Sequence, residues 1–288
     1  MRVLVLGGGQ IARAVGLAAA PGHHQVVTRT HTELDIADEK AVARILTEVK
    51  ADWIVNAAAF TAVDLAEDQP AQAHAVNSAA VAFLARASAQ EGRRLLHLST
   101  DFVFDGNSNR AYLPTDKPAP LSVYGTSKLA GERHVLDAGP SGIVLRTSWV
   151  YAAVGKNFVL TMLRLMREKD RISVVCDQIG TPTWAASAAA AIWGLIEAAA
   201  NGGIYHWTDL GVASWYDFAV AIQDEALAKG LLSRAIPITP IPSASYPTRA
   251  RRPAFGVLDT TSTRASIDVP VQHWRHNLRT MLDELRTA

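Results

Sequence analysis

Met1-Arg2-Val3-Leu4-Val5-Leu6-Gly7-Gly8-Gly9-Gln10-Ile11-Ala12 opens the chain and decides its fold. Arg2 to Leu6 is an apolar run without alternation, the pattern of a strand covered on both faces in a parallel sheet. Gly7, Gly9 and Ala12 then fit G-x-G-x-x-G/A. In that pattern glycine permits a tight turn and a close backbone approach to a pyrophosphate, and the small third residue lets helix and strand pack closely. A helix starting at Gln10 would aim amide donors and the positive end of its dipole at the phosphates. It is expected to span Gln10 to Ala20 and to stop at Pro21-Gly22.

The same alternation continues outward. Strands are expected at Arg2 to Leu6, Gln25 to Thr28, Trp53 to Asn56, Arg94 to Leu98 and Ile143 to Arg146. Between the later ones lie helical stretches at Glu39 to Val49, Ala71 to Glu91 and Ser122 to Leu136. Strand and helix in turn build right-handed βαβ units, so the fold class is α/β, a Rossmann-type doubly wound parallel sheet. Residues 1–150 are expected to form the dinucleotide-binding domain. Residues 151–288 are expected to form mostly a smaller, discontinuous α/β substrate-binding domain, with some later segments returning to the first. Helices are expected there at Asn157 to Glu168, Trp184 to Ala200, Trp215 to Lys229 and Val271 to Arg286. Such a second unit would close over the carboxyl edge of the sheet, where open α/β sheets bind ligands.

With 28 basic and 27 acidic side chains the formal charge is +1, so no global field argues for nucleic acid or a membrane surface as partner. Cys176 is the single cysteine, which rules out an internal disulfide or a cysteine-rich zinc site and fits a reducing, cytoplasmic compartment. The opening apolar run is too short and too glycine-broken for a signal peptide. The alanine-rich stretch from Trp184 to Ala200 reads as a buried helix rather than a membrane span.

Chemistry enters with Tyr124-Gly-Thr-Ser-Lys128, preceded by Ser99-Thr100-Asp101. Residues four apart share a helix face, which sets a phenol beside an ammonium. A neighbouring positive charge lowers a tyrosine pKa from about 10 and makes a general acid or base for carbonyl and alcohol chemistry. The Thr100 hydroxyl would hold the reacting oxygen. For the cofactor, the second strand ends Thr28-Arg29-Thr30 without an acid, so Arg29 would meet a 2′-phosphate and NADPH is preferred, with NADH left open. Asp35-Ile36 suit an adenine contact, although Asp35 equally suits a capping role before Glu39. Asn56-Ala57-Ala58-Ala59 leaves room for the cofactor, or is simple alanine packing.

Finer motifs join these: Thr61-Ala-Val-Asp64, Ser99-Thr-Asp-Phe-Val-Phe-Asp-Gly106, Val123-Tyr-Gly-Thr-Ser-Lys-Leu-Ala-Gly-Glu132, Arg146-Thr-Ser-Trp-Val-Tyr151, Asp177-Gln-Ile-Gly-Thr-Pro-Thr183 and Ser245-Tyr-Pro-Thr-Arg-Ala-Arg-Arg-Pro253. Together they resemble the dTDP-4-dehydrorhamnose reductase family of the extended short-chain dehydrogenase/reductases, over nearly the whole chain. The resemblance implies reduction of a 4-keto dTDP-sugar, with Thr100, Tyr124 and Lys128 as the catalytic set and Asp101 and Trp149 on the substrate. In it Tyr124 donates the proton, while Lys128 tunes the tyrosine and binds the nicotinamide ribose. Gly9, Gln10, Ile11, Arg29, Asp35, Ile36, Ala59, Phe60 and Thr61 would line the cofactor. The chain departs from the family in its glycine turn, which is one residue shorter and has Ala12 third. It departs again at Ala14 and Ala186, which align with acids that hold magnesium in some dimeric members. No metal is implied, and a homodimer is left open.

Arg249, Arg251 and Arg252 lie in a proline-rich stretch and suit a diphosphate, with Arg252 singled out for substrate, against the alternative of a surface basic patch. Trp149 and Trp207 are both large enough to stack on a base or sugar, but only Trp149 lies in a motif. His273-x-x-His276 lacks a third ligand and reads as solvated or capping. Phe102 stands where a dehydratase of this superfamily needs a proton-exchanging acid, which argues against dehydration. An epimerase, or a non-catalytic NADP-binding subunit like that of methionine adenosyltransferase, remains the alternative.

Overall fold

The computed structural model describes residues 1–19 and 24–287. β1 (Arg2–Leu6) leads into α1 (Gln10–Leu17), followed by β2 (Gln25–Arg29), α2 (Glu39–Val49), β3 (Trp53–Asn56), α3 (Val63–Asp68) and α4 (Pro70–His74). A π-helical turn, Ala75–Ala79, joins α4 to α5 (Ala80–Gln90); then come β4 (Arg94–Thr100), a 3-10 turn at Asp101–Val103, α6 (Val123–Asp137) and β5 (Ile143–Thr147). Beyond lie β6 (Val150–Tyr151), α7 (Phe158–Glu168), β7 (Ile172–Val175), β8 (Ile179–Gly180), β9 (Thr183–Trp184) and α8 (Ala185–Glu197). The chain ends with β10 (Gly203–His206), β11 (Ala213–Ser214), α9 (Trp215–Ala228), β12 (Ile238–Ile241), α10 (Thr261–Ser266) and α11 (Trp274–Thr287).

β2, β1, β3, β4, β5 and β10 form one six-stranded sheet in that order, with every neighbour pair parallel. Successive side chains of a strand point to opposite faces. Val3 and Val5 therefore pack toward α1 and α8 with Ala12, Val15, Ala188 and Ile192. Leu4 and Leu6 pack toward α2 and α5 with Leu46, Val81 and Leu84. A separate cluster brings together Tyr151, Val159, Met162, Phe218, Ile222 and Leu278 from β6, α7, α9 and α11. Strand order reverses between β1 and β3, and that is where such sheets open a crevice at their carboxyl ends.

The expected elements recur with instructive differences. α2 has the anticipated bounds, and its cap is Asp38, whose side chain accepts from the Ala41 amide; Asp35 instead accepts from Ala37. The stop of α1 at Pro21-Gly22 lies outside the described residues. The helix expected over Ala71 to Glu91 carries the π turn, and with it Asn77, which is buried and bonds the backbone N–H and carbonyl of Phe60 and the hydroxyl of Ser127. β10, from the second half of the chain, pairs with β5 as the sixth strand. Trp184 to Ala200 does yield a buried helix, α8, and no helix among the described residues is long and apolar enough to cross a membrane.

α6 is fixed at its start and again along its length. The Ser122 hydroxyl accepts from the Gly125 amide, and Glu67 of α3 accepts from the Val123 amide at 2.8 Å. Farther along, Arg146 of β5 forks onto Glu132 with bonds of 2.8 and 2.7 Å, both side chains being 1% exposed. Breaking a buried ion pair from one side leaves an uncompensated charge, whereas replacing both partners with apolar groups does not. Arg146→Met should therefore lower the unfolding free energy in urea by about 3–5 kcal/mol, and adding Glu132→Leu should recover most of that loss. An unchanged denaturation midpoint in the single variant would mean that the pair is solvated in solution.

Candidate active site

The first βα turn is built for close approach. Gly7 has φ +121°, a left-handed conformation, and a Cβ there would lie 3.0 Å from the backbone of Ala57 and Ala58 at the end of β3. Gly9 is different. It is the N-cap of α1 with φ −76°, which any residue adopts, and a Cβ there would meet nothing within 4 Å. Neither the backbone nor a neighbouring side chain requires glycine at this position. The open space above it is the cradle that a pyrophosphate would fill, beside the unpaired amides of a helix start.

Gly9 opens onto a cleft of about 690 Å³ that runs along the carboxyl ends of β1, β3, β4 and β5. Gln10, Ile11, Ala59 and Thr61 line it on the cradle side; Thr100, Asp101, Tyr124 and Lys128 line its floor; and Trp149, Trp215 and Arg252 border it elsewhere. Gln10 also bridges the two halves of the chain, since its side-chain oxygen accepts from Asn157 at 2.9 Å. At the ends of β4 and β5 the buried hydroxyls of Ser99 and Thr147 line the cleft and have no protein hydrogen-bond partner. Buried hydroxyls left without a protein partner, in residues that line a cleft, suit a polar group brought there by a ligand. Together with the Gly9 cradle, they fit the residues present to a dinucleotide.

On the floor, Thr100 donates to Asp101 at 2.9 Å and accepts from the Phe102 amide at 3.2 Å. α6 can lie against this turn only because Gly125 has no side chain: a Cβ there would sit 2.3 Å from the Phe102 carbonyl oxygen. Burial pushes the Asp101 carboxyl up to about 7, against the opposing hydrogen bond from Thr100. Tyr124 is pushed up to about 12, first by burial and then by the charge of Asp101, with the Thr100 hydroxyl acting the other way. Lys128 is brought down to about 8 by burial, with Glu132 opposing. The expectation that Lys128 pulls the phenol down is corrected here. Its Nζ is turned to the Leu98 carbonyl at 2.6 Å and to His97 Nε2 at 3.1 Å, so the phenol keeps its proton.

The other anticipated residues divide. Phe60 sits in the loop clamped by Asn77. Arg29 ends β2, half-buried, and one guanidinium nitrogen donates to the carbonyl of Thr28. Asp35 is exposed, whereas Ile36 is buried in the core beneath the sheet. Arg252 borders the cleft but is held by Asp64 through bonds of 3.0 and 2.8 Å, and Arg249 pairs with Asp68. Trp207 belongs to the core and donates to Ser187, while His273 accepts from the Arg275 amide at the start of α11.

Trp149 takes φ +48°, rare for a large side chain, and its ring stacks on Trp215 with centroids 3.5 Å apart and planes 4° off parallel. Trp215 was not anticipated as a site residue. Its signal is Ser214-Trp-Tyr-Asp217, a capping box that puts the tryptophan at the first position of α9. His97 was also missed, although a histidine inside the apolar run Leu95-Leu96-His97-Leu98 is itself a signal.

This arrangement can bind a dinucleotide and deliver a proton from a protonated phenol at the same cleft. Comparison with known proteins bears on whose cleft it is. The family model described as RmlD substrate binding domain matches residues 1–287. The dTDP-4-dehydrorhamnose reductase of Aggregatibacter actinomycetemcomitans is 41% identical over 285 residues, which is 96% of this chain and 97% of that protein. That of Escherichia coli (strain K12) is 37% identical over 296 residues, 100% and 99% of the two chains. Among solved structures, dTDP-4-dehydrorhamnose reductase from Bacillus anthracis str. Ames in complex with NADP matches with a TM-score of 0.93 at 32% identity, covering 98% of this chain and 99% of that one. Matched from end to end in sequence and in fold, the chain belongs to the dTDP-4-dehydrorhamnose reductase family.

Proposed function

We propose that the protein reduces the 4-keto group of dTDP-4-dehydro-β-L-rhamnose with NADPH to give dTDP-L-rhamnose. The observation that carries this reading is that one cleft is lined both by the Gly9-Gln10-Ile11 cradle and by Thr100, Tyr124 and Lys128. The relatives named for this reaction, and the solved relative in complex with NADP, support the choice of substrate and cofactor.

The cradle amides hold the pyrophosphate, Arg29 meets the 2′-phosphate and Lys128 bonds the nicotinamide ribose. Bound there, NADPH supplies the hydride. Tyr124 gives its proton to the sugar oxygen, and a phenol pushed up to about 12 arrives at that step protonated. Thr100 orients the ketone by turning its one hydroxyl proton from Asp101 to the ketone oxygen, while the Phe102 amide keeps hold of the hydroxyl oxygen. Trp149, stacked on Trp215, gives the sugar a flat apolar wall. Arg252 meets the diphosphate by exchanging the Asp64 carboxylate for another anion. The cluster around Tyr151, Phe218 and Leu278 is then the core of the substrate-binding domain.

The direct test generates the 4-keto sugar nucleotide from dTDP-glucose with the preceding dehydratase and epimerase, adds this protein, and follows nicotinamide oxidation. Oxidation with NADPH ahead of NADH is expected, and none with either cofactor would overturn the reading. Tyr124→Phe should lower kcat by about 10²- to 10⁴-fold with cofactor binding nearly intact. Full turnover in that variant would remove Tyr124 from the proton transfer. Gly9→Ala fills the cradle without touching the protein, so the NADPH dissociation constant should rise about tenfold or more while unfolding free energy changes by less than about 1 kcal/mol. Unaltered NADPH affinity, measured by fluorescence titration, would place the pyrophosphate elsewhere.

A further inference from the structure

His97 is fully buried in β4, and the proposed reaction assigns it no part. Its two ring nitrogens have one partner each: Nδ1 lies 3.1 Å from the Asn56 side-chain nitrogen, and Nε2 lies 3.1 Å from Lys128 Nζ. Asn56, also fully buried, cannot turn over freely, because its side-chain oxygen accepts from the Ala58 amide at 3.2 Å. Reversing the Asn56 amide would set two donors against each other at that point. The Asn56 nitrogen therefore donates to Nδ1, so Nδ1 carries the lone pair and a neutral His97 must carry its proton on Nε2.

That proton points at Nζ. A lysine amine can accept it while donating to the Leu98 carbonyl, but an ammonium in the same place would face a donor with a donor. We propose that His97 is a positioning residue for Lys128: fixed by Asn56, its Nε2–H withholds an acceptor from the ammonium, so that Lys128 exchanges its proton readily instead of being locked in the charged form. The inference rests on the reading of Lys128 and Tyr124 as the proton-handling pair, since a phenol that gives up a proton in every turnover needs a neighbour able to exchange one.

The other groups around Lys128 do not account for this by themselves. On its own helix Tyr124 and Glu132 lie one turn away on either side, and Asp101 at the end of β4 lines the same cleft. Glu132 favours the ammonium, but its carboxylate is occupied by Arg146 of β5. The depressed titration of both Lys128 and His97, which burial drives first in each, agrees with the geometry.

Two measurements on the resting protein test this without turnover. In two-bond ¹H–¹⁵N spectra, with His97 assigned by comparison with His97→Gln, the imidazole should show the neutral Nε2-protonated pattern at pH 7; an Nδ1-protonated or doubly protonated ring would overturn the proposal. In a ¹³C titration of labelled lysine Cε, with Lys128 assigned by Lys128→Arg, the midpoint should lie near 8. Asn56→Asp places a carboxylate at Nδ1, draws the proton there and turns Nε2 into an acceptor, so the Lys128 midpoint should rise by about one pH unit or more. Adding His97→Leu should cancel that rise, and a rise that survives without the imidazole would be a direct charge effect and would overturn the proposal. Should Asn56→Asp fail to fold, the tautomer of the unaltered protein still decides. Failure of ketone reduction in the coupled assay would sink the proposed reaction and leave both spectra as they are.

Discussion

Because the central strands carry apolar side chains to both faces, helices must cover both, and polar groups are driven to the ends of the strands. Everything else in the molecule follows from that exclusion. Gly7 and Ala57 directly follow neighbouring strands and open the crevice; Thr100 and Thr147 end the next two, paired in register. The chemistry collects at one edge because no other part of the sheet can hold it at tolerable desolvation cost. Among the exceptions inside the layers are matched pairs or chains, Arg146 with Glu132 and Asn56 with His97 and Lys128, whose geometry fixes α6 against β4 and β5.

Much of this was legible in the sequence because it is written locally. A strand, a glycine turn and a helix in succession specify one another, and the apolar period from Glu39 to Val49 marks α2, although its cap is Asp38 and not Asp35. Tyr124 and Lys128 share a face because α6 is regular through both. What stayed hidden is non-local. Nothing in Arg252 announces that Asp64, far away in the chain, grips it. The π turn exists where Asn77 reaches both Phe60 and Ser127, a requirement set by the tertiary structure. Ile36 followed the ordinary course of an apolar residue and joined the core.

The same distinction explains the corrected view of the tyrosine. Spacing sets a lysine near a phenol but cannot say where the lysine nitrogen points. Here the nearest acceptor is the Leu98 carbonyl, and burial dominates both side chains. Burial moves a phenol up and an ammonium down, so two proton affinities that nearly match in water are driven apart, to about 12 and about 8, with no ion pair between them.

Trp149 carries one more implication. Its backbone sits in the left-handed region, a conformation that costs a bulky residue roughly 1–3 kcal/mol and persists only when its surroundings impose it. The imposing groups are visible: Trp215 is stacked on the ring, and Gly180 lies so close under it that a Cβ there would overlap the indole. The indole is thus immobilised while the chain folds, before anything enters the cleft it borders. Its rotamer entropy is lost once, in making the protein, and is not charged again to each encounter with a ligand, which is preorganisation in the strict thermodynamic sense.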